Sequence, residues 1–142
     1  MLVFYTGITR FSTDVQKHLV DETRKMNNDE FLQRMTDMVY EAERIVSSNE
    51  KNDMLLKFGA LLHEGWELKK RCSARASNET IDDIYSRAMN AGAYGGKISG
   101  GGGVMTLFVP PENQAAVRSA LKDLSEVQVG FENEGSSIIY MR

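Results

Sequence analysis

Four of the twelve glycines in this 142-residue chain stand together at Gly100, Gly101, Gly102 and Gly103. Residues without a Cβ let several backbone N–H groups converge on one anion, which is how glycine-rich loops hold phosphate. Gly95-Gly96-Lys97-Ile98-Ser99 leads into the tract, so a cation, Lys97, and a hydroxyl, Ser99, precede it. The spacing is not G-x-x-x-x-G-K-[ST], which excludes a Walker-type phosphate loop. A flexible turn explains bare glycines as simply, and a lysine such as Lys97 is more often solvated than bound. The second candidate is Thr6-Gly7-Ile8-Thr9-Arg10, where hydroxyls and a guanidinium gather between an apolar run and a helix start. Arginine bonds phosphate or carboxylate through two parallel N–H groups. An ordinary surface ion pair is the competing role for Arg10.

Other reactive side chains form no recognisable constellation. His63 and Glu64 lie mid-helix beside Trp66, and His18 stands elsewhere with no H-E-x-x-H pattern, so no metal spacing exists. His63 reads as a hydrogen-bonded structural histidine. Cys72 has no nucleophilic partners, and the acidic residues fall on polar faces or in turns, so no general base stands out. The eight methionines fall mainly at helical core positions, as gap-filling packing.

The elements that must position these residues can be read from periodicity and punctuation. Leu2-Val3-Phe4-Tyr5 is a strand that opens the chain abruptly, as the middle strand of something longer or as an edge strand would. Thr13 and Gln16 form a capping-box pattern for a helix reaching about Met26. Leu32, Met35, Met38, Val39, Ala42, Ile45 and Val46 recur at helical spacing and predict a second helix over 29–47. A third carries Leu55, Phe58, Leu61, Leu62 and Trp66 and ends in Lys69-Lys70-Arg71, where cations complement the macrodipole. Thr80 is expected to cap a fourth, with Ile81, Ile84, Tyr85 and Ala88 inward and Gly92 as its left-handed stop.

After the glycine tract, Val104–Val109 reads as a strand and Pro111 as the first residue of a helix to about Leu124. Val127, Val129 and Phe131 alternate as a half-buried strand, Glu132–Gly135 is a turn, and Ser137–Tyr140 is the return strand. The economical packing is an α+β fold: a ferredoxin-like antiparallel sheet with helices on one face and a long helical insertion after the first strand.

Composition narrows the setting. Seventeen Lys and Arg against twenty Asp and Glu give a formal charge of −3, too mild a field to hold nucleic acid or an anionic membrane. The lone cysteine excludes an internal disulfide framework and fits a reducing cytoplasm. No apolar run approaches the ~20 residues of a membrane helix, and the N-terminus lacks a signal-peptide plan. A chain of this size buries roughly 68–70% of its unfolded surface and is most simply one domain, residues 1–142.

Gly92-Ala93-Tyr94-Gly95-Gly96-Lys97-Ile98-Ser99-Gly100, followed by further glycines and an apolar strand, resembles the third conserved motif of the GHMP small-molecule kinases. F-Y-T-G-I-T-R at 4–10, F-G-A-L-L-H-E-G-W at 58–66, S-N-E-T-I-D-D-I-Y at 77–85, V-P-P-E at 109–112 and F-E-N-E-G-S-S-I-I-Y at 131–140 extend the resemblance over nearly the whole chain. Within the family it is most similar to the bacterial heptose 7-phosphate kinases. The resemblance is to the C-terminal half, without the P-x-x-x-G-L-G-S-S-type phosphate motif or the usual catalytic aspartate of the N-terminal half.

The resemblance implies a parent that phosphorylates a sugar, D-glycero-D-manno-heptose 7-phosphate at its anomeric hydroxyl, with ATP and Mg²⁺. It implies that Thr9 and Arg10 reach the sugar phosphate and that Lys97, Ser99 and Gly100–Gly103 form an active-site loop. No catalytic residue and no metal ligand fall within the chain, which is expected to be inactive alone. The tract is shorter than the family pattern, which leaves fewer N–H groups for direct anion contact. A missing half is expected to expose apolar surface and drive self-association, with Leu2–Tyr5 pairing edge to edge. Two other functions fit the same residues: a non-catalytic ferredoxin-like module for ligand binding or oligomerisation, and a kinase of this family acting on galactose, mevalonate or another phosphosugar.

Overall fold

The computed structural model describes residues 1–9, 12–25, 28–48, 51–99, 103–138 and 140. Leu2–Tyr5 forms β1, followed by α1 (Ser12–Arg24), α2 (Asp29–Ser47), α3 (Lys51–Cys72) and α4 (Glu79–Asn90). Then come β2 (Gly95–Ser99), β3 (Val104–Phe108), a 3-10 turn at Pro111–Asn113 running into α5 (Gln114–Ala120), and β4 (Ser125–Glu126). The strands pair antiparallel in the order β2-β3-β1-β4. β1 and β2 therefore run parallel with β3 between them, and β3 and β4 run parallel with β1 between them. This interleaving is the split βαβ plan of a ferredoxin-like fold, and α1–α4 are the helical insertion expected after the first strand.

Helix ends follow backbone hydrogen-bonding needs more closely than they follow the expected caps. Asn78, not Thr80, caps α4: its side-chain oxygen accepts the Ile81 N–H at 2.9 Å. That start puts Glu79 and Asp82 in the first turn, where the positive end of the helix favours them. α1 begins at Ser12, so Thr13 lies inside the helix instead of at its cap. Gly92 does stop α4, in the left-handed region at φ +95°. The helix expected over 111–124 is shorter, because Arg87 takes the Ala120 carbonyl at 3.0 Å and the Asp123 carboxylate at 2.8 Å and so closes α5.

Period-two alternation turns Leu2, Phe4, Ile98, Met105 and Leu107 to one side of the sheet, each no more than 4% exposed. Onto them α4 lays Ile81, Ile84, Tyr85 and Ala88, α5 lays Val117 and Leu121, and α3 contributes Trp66. Each large side chain so buried stabilises the fold by about 1.5–3 kcal/mol.

α3 lies along the β2 edge. A Cβ on Gly95 would stand 1.9 Å from the Gly59 carbonyl oxygen of α3, so helix and strand meet backbone to backbone. Trp66 reaches the core on one side of that edge, while Phe58 meets Phe108 on the other with ring centroids 5.2 Å apart. Glycines that read as a lead-in to a loop are thus a strand, and what they provide at this edge is close packing.

Polar groups fasten the helices. Arg34 of α2 forks onto Glu64 of α3 at 2.6 and 2.8 Å and also bonds Glu41. The buried Asn28 side chain donates to the Cys72 carbonyl at 3.1 Å, tying the start of α2 to the end of α3. His63 Nδ1 lies 2.9 Å from the Tyr85 hydroxyl, and the two rings stack, so His63 is hydrogen-bonded as its position suggested. Burial pushes the Tyr85 phenol up to about 12, opposed in part by a hydrogen bond from the Gly96 backbone on β2.

Further expectations fail in the sheet. β1 lies inside the sheet: β3 pairs all four of its residues, β4 pairs Phe4 and Tyr5, and the Val127 N–H reaches the Val3 carbonyl at 2.8 Å. Among the described residues β1 is thus an inner strand, not the free edge expected to pair with another copy. The strands expected at 127–131 and 137–140 are also absent among the described residues. β4 is two residues long, and Phe131, Ile138 and Tyr140 are 84%, 80% and 73% exposed. The pairing of β4 with β1 is confined to Phe4 with Glu126 and Tyr5 with Ser125. The turn at 132–135 is present, closed by Glu132 accepting the Asn133 and Glu134 N–H groups at 2.7 and 2.9 Å.

Gly95→Ala should cost about 3 kcal/mol or more in urea unfolding, because backbone cannot yield as a side chain does. Gly130→Ala, where a Cβ meets nothing within 4 Å, should change stability by less than about 0.5 kcal/mol. The raised Tyr85 pKa gives a second expectation. The folded state keeps a proton that the unfolded chain releases near pH 10, so stability is intact below that and falls as pH rises towards 12, by roughly 2–3 kcal/mol. Tyr85→Phe should remove most of that high-pH loss, measured by chemical unfolding at pH 8, 10 and 11.5.

Candidate functional site

One end of the sheet gathers the two segments singled out by their chemistry. Ser99, Val104, Tyr5 and Ser125 are successive neighbours across the four strands, so β1 and β2 finish at this rim and β3 and β4 start from it. Parallel β1 and β2 thereby bring residues 6–9, which follow β1, and Ser99, the last residue of β2, to the same rim.

Beyond Tyr5 the ladder continues one step: the Thr6 N–H donates to the Gly103 carbonyl at 2.9 Å. The Thr6 hydroxyl, itself buried, accepts the Ile8 N–H at 3.2 Å and closes a tight local turn through Gly7. A Cβ on Gly103 would touch the Ile8 carbonyl oxygen at 3.4 Å and the Tyr5 ring at 3.8 Å. Thr9 is exposed just beyond this turn, and α1 begins three residues later at Ser12.

Of the residues expected at the site, Thr9, Ser99 and Gly103 share the rim. Lys97 is exposed on β2 opposite Thr106, two residues back, or roughly 6–7 Å at strand rise. Arg10, Gly100, Gly101 and Gly102 lie outside the described residues. Thr6 was not singled out by itself, yet it joins the two segments. A threonine directly before a glycine at a strand end was the available sign.

The electrostatics assign structural roles to the displaced carboxylates. Hydrogen bonds from Arg34 hold Glu41 and Glu64 below the usual range, Arg87 does so for Asp123, and Arg118 for Glu126. A general base working near neutral pH needs the opposite shift. Apart from cations raised by their carboxylate partners, the upward shifts belong to Tyr85 and the Cys72 thiol, both caused chiefly by burial, which keeps a phenol or thiol protonated and inert. Among the described residues no group of three or more His, Cys, Asp or Glu could hold a metal ion. Among the described residues the rim presents backbone groups and hydroxyls, from Thr6, Thr9, Ser99 and Gly103. No helix among the described residues is long and apolar enough to cross a membrane.

Gly103, the last glycine of the tract, held beside the turn after β1 on a ferredoxin-like sheet, points to the class, and comparison with known proteins identifies it. Residues 50–126 match the family described as GHMP kinases C terminal, and the chain belongs to that family. It is 32% identical over 141 residues to D-glycero-alpha-D-manno-heptose 7-phosphate kinase of Campylobacter jejuni subsp. jejuni serotype O:2 (strain ATCC 700819 / NCTC 11168). The match covers 94% of this chain and 40% of that kinase, so the chain spans about two fifths of the curated relative's length. The fold also matches the crystal structure of L. major mevalonate kinase in complex with R-mevalonate, with a TM-score of 0.73 and 20% identity. That match covers 86% of this chain and 37% of the other.

Thr6→Val keeps the shape and removes the acceptor for the Ile8 N–H. Stability should fall by about 1 kcal/mol, and the Ile8 amide should exchange with deuterium on the order of tenfold faster. An unchanged Ile8 exchange rate would mean the hydroxyl does not hold this turn.

Proposed function

We propose that the chain is the substrate-side, C-terminal domain of an ATP-dependent sugar kinase that acts on D-glycero-D-manno-heptose 7-phosphate at its anomeric hydroxyl. The observation that carries this reading is the Thr6–Gly103 hydrogen bond, which joins the T-G-I-T segment to the end of the glycine tract at one rim. Similarity to the Campylobacter heptose 7-phosphate kinase along 94% of the chain supports the choice of sugar. In this reading the Arg10 guanidinium forks onto the sugar's phosphate and the Thr9 hydroxyl orients the ring. Ser99 and Gly100–Gly103 line the opposite wall with backbone N–H groups, and Lys97 adds positive charge behind them.

Such a wall suits phosphoryl transfer, where catalysis is mostly positioning and charge neutralisation. ATP and Mg²⁺ are the nucleotide and metal of the parent enzyme. The parent is read as cytoplasmic, and the isolated chain as inactive.

Replacing the matching segment of the Campylobacter kinase with this chain tests the proposal. The chimera should transfer phosphate from ATP to heptose 7-phosphate, and Arg10→Ala should raise KM for the sugar by about tenfold to a hundredfold, the loss of a charged hydrogen-bonded pair. A folded chimera that turns over mevalonate or galactose but not the heptose would overturn the substrate. Phosphate transfer by the 142-residue chain alone would overturn its assignment as an inactive half.

A further inference from the structure

A second concave feature lies away from the rim, between α2, α3 and β2: a cleft of about 310 Å³ that opens to solvent. Helical spacing builds its walls. Met35, Met38, Val39 and Ala42 fall at i, i+3, i+4 and i+7 on α2, and Leu61, Leu62, Gly65 and Trp66 form the facing stripe on α3. Facing stripes of this kind normally interdigitate to the density of a crystal. Here each includes a small residue, Ala42 or Gly65, and a Cβ on Gly65 would meet only the flexible Met38 Cε, at 3.2 Å. Val39, at the cleft, stays 64% exposed, which is unusual for a valine on the apolar face of a helix.

The polar groups on this cleft have one sign. Lys69, in the last turn of α3, and Lys97, exposed on β2, both line it, and no acidic side chain does so among the described residues. Lysine lays its apolar stem along such walls and holds its ammonium at the water boundary. A sugar phosphate would find few partners for its hydroxyls on walls of Met, Leu and Val. An apolar body with an anionic head would match both parts.

We propose that this cleft binds a small amphipathic anion, with an alkyl or similarly apolar body between the α2 and α3 stripes and a phosphate or carboxylate at Lys69 and Lys97. The volume, equal to roughly ten water molecules' share of the liquid, fits a body of about eight to ten heavy atoms. Methionine walls suit such a ligand because their unbranched side chains adapt to its shape. The cleft shares Lys97 with the wall of the proposed kinase site, so its test reads binding to this chain directly and not phosphate transfer.

Trp66 is the sole tryptophan and lines the cleft, so its emission reports occupancy in the intact chain. The chain is titrated with octyl phosphate, octanoate, octan-1-ol and octyltrimethylammonium, all below micelle formation. Octyl phosphate or octanoate should give a saturable change, with octanol about tenfold weaker and the cation weaker still, the loss expected for one charged contact. Lys97→Glu, an exposed substitution, should weaken the anions by about tenfold and leave octanol unchanged. Gly65→Leu should abolish binding of all four by filling the cleft. Ala42→Leu fills it from the opposite wall should the first variant unfold. Absence of a saturable change with either anion, equal binding of anion and cation, or anion affinity unaffected by Lys97→Glu would overturn the proposal.

Discussion

The carbonyl oxygen of Gly59 rests against the backbone of Gly95 at a distance that leaves no space for a side chain, and the architecture depends on that contact. With helix and strand so close, α3 shields the outer edge of β2, which would otherwise present unpaired backbone groups to other chains. The same approach lets Trp66 enter the core on one side while Phe58 meets Phe108 on the other. The Tyr85 hydroxyl, held by His63 and by the Gly96 backbone, then links α3, α4 and β2 at one point. A strand clamped from its edge in this way holds Ser99 at a defined place on the rim.

How much of this was legible depends on whether a segment's partner lies within its own sequence. α2 could be read residue by residue, because an apolar stripe at helical spacing needs only one face to bury, and its bounds are those expected. Ile81, Ile84, Tyr85 and Ala88 were readable as inward for the same reason. β2 was not, because Gly95 and Gly96 look like loop residues until α3 is known to lie against them. Asn78 and Thr80 are both good capping residues two positions apart, and only the reach of the Asn78 side chain to the Ile81 N–H separates them. The alternating Val127, Val129 and Phe131 suggested a strand, but alternation states which face would be buried and not whether a neighbour exists. Among the described residues β1 pairs with this end of the chain only at Phe4 and Tyr5.

The candidate site divides along the same line. Residue types pointed to the two segments, Thr6–Arg10 and Lys97–Gly103, since hydroxyls, glycines and cations show their chemistry without a fold. Their meeting could not be read, because Thr6 and Gly103 are 97 positions apart in sequence and only the antiparallel register of β1 on β3 makes them neighbours. The charged groups away from the rim have structural work of their own. The carboxylates with displaced pKa values are each spoken for by an arginine or by backbone N–H groups, and such pairs hold helices and turns in place.

β2 therefore serves two surfaces by alternation alone. Ile98 turns into the core beside Met105, while Lys97 and Ser99 turn the other way. Lys97 borders the cleft between α2 and α3, and Ser99 opens the glycine tract two residues later. A chain segment five residues long, fastened at Gly95 and Gly96 and paired throughout to β3, has little freedom to move one of these groups without the other. Whatever sits against Lys97 thus bears on the same rigid strand that feeds the rim, and the distance between the two is set by the pleat.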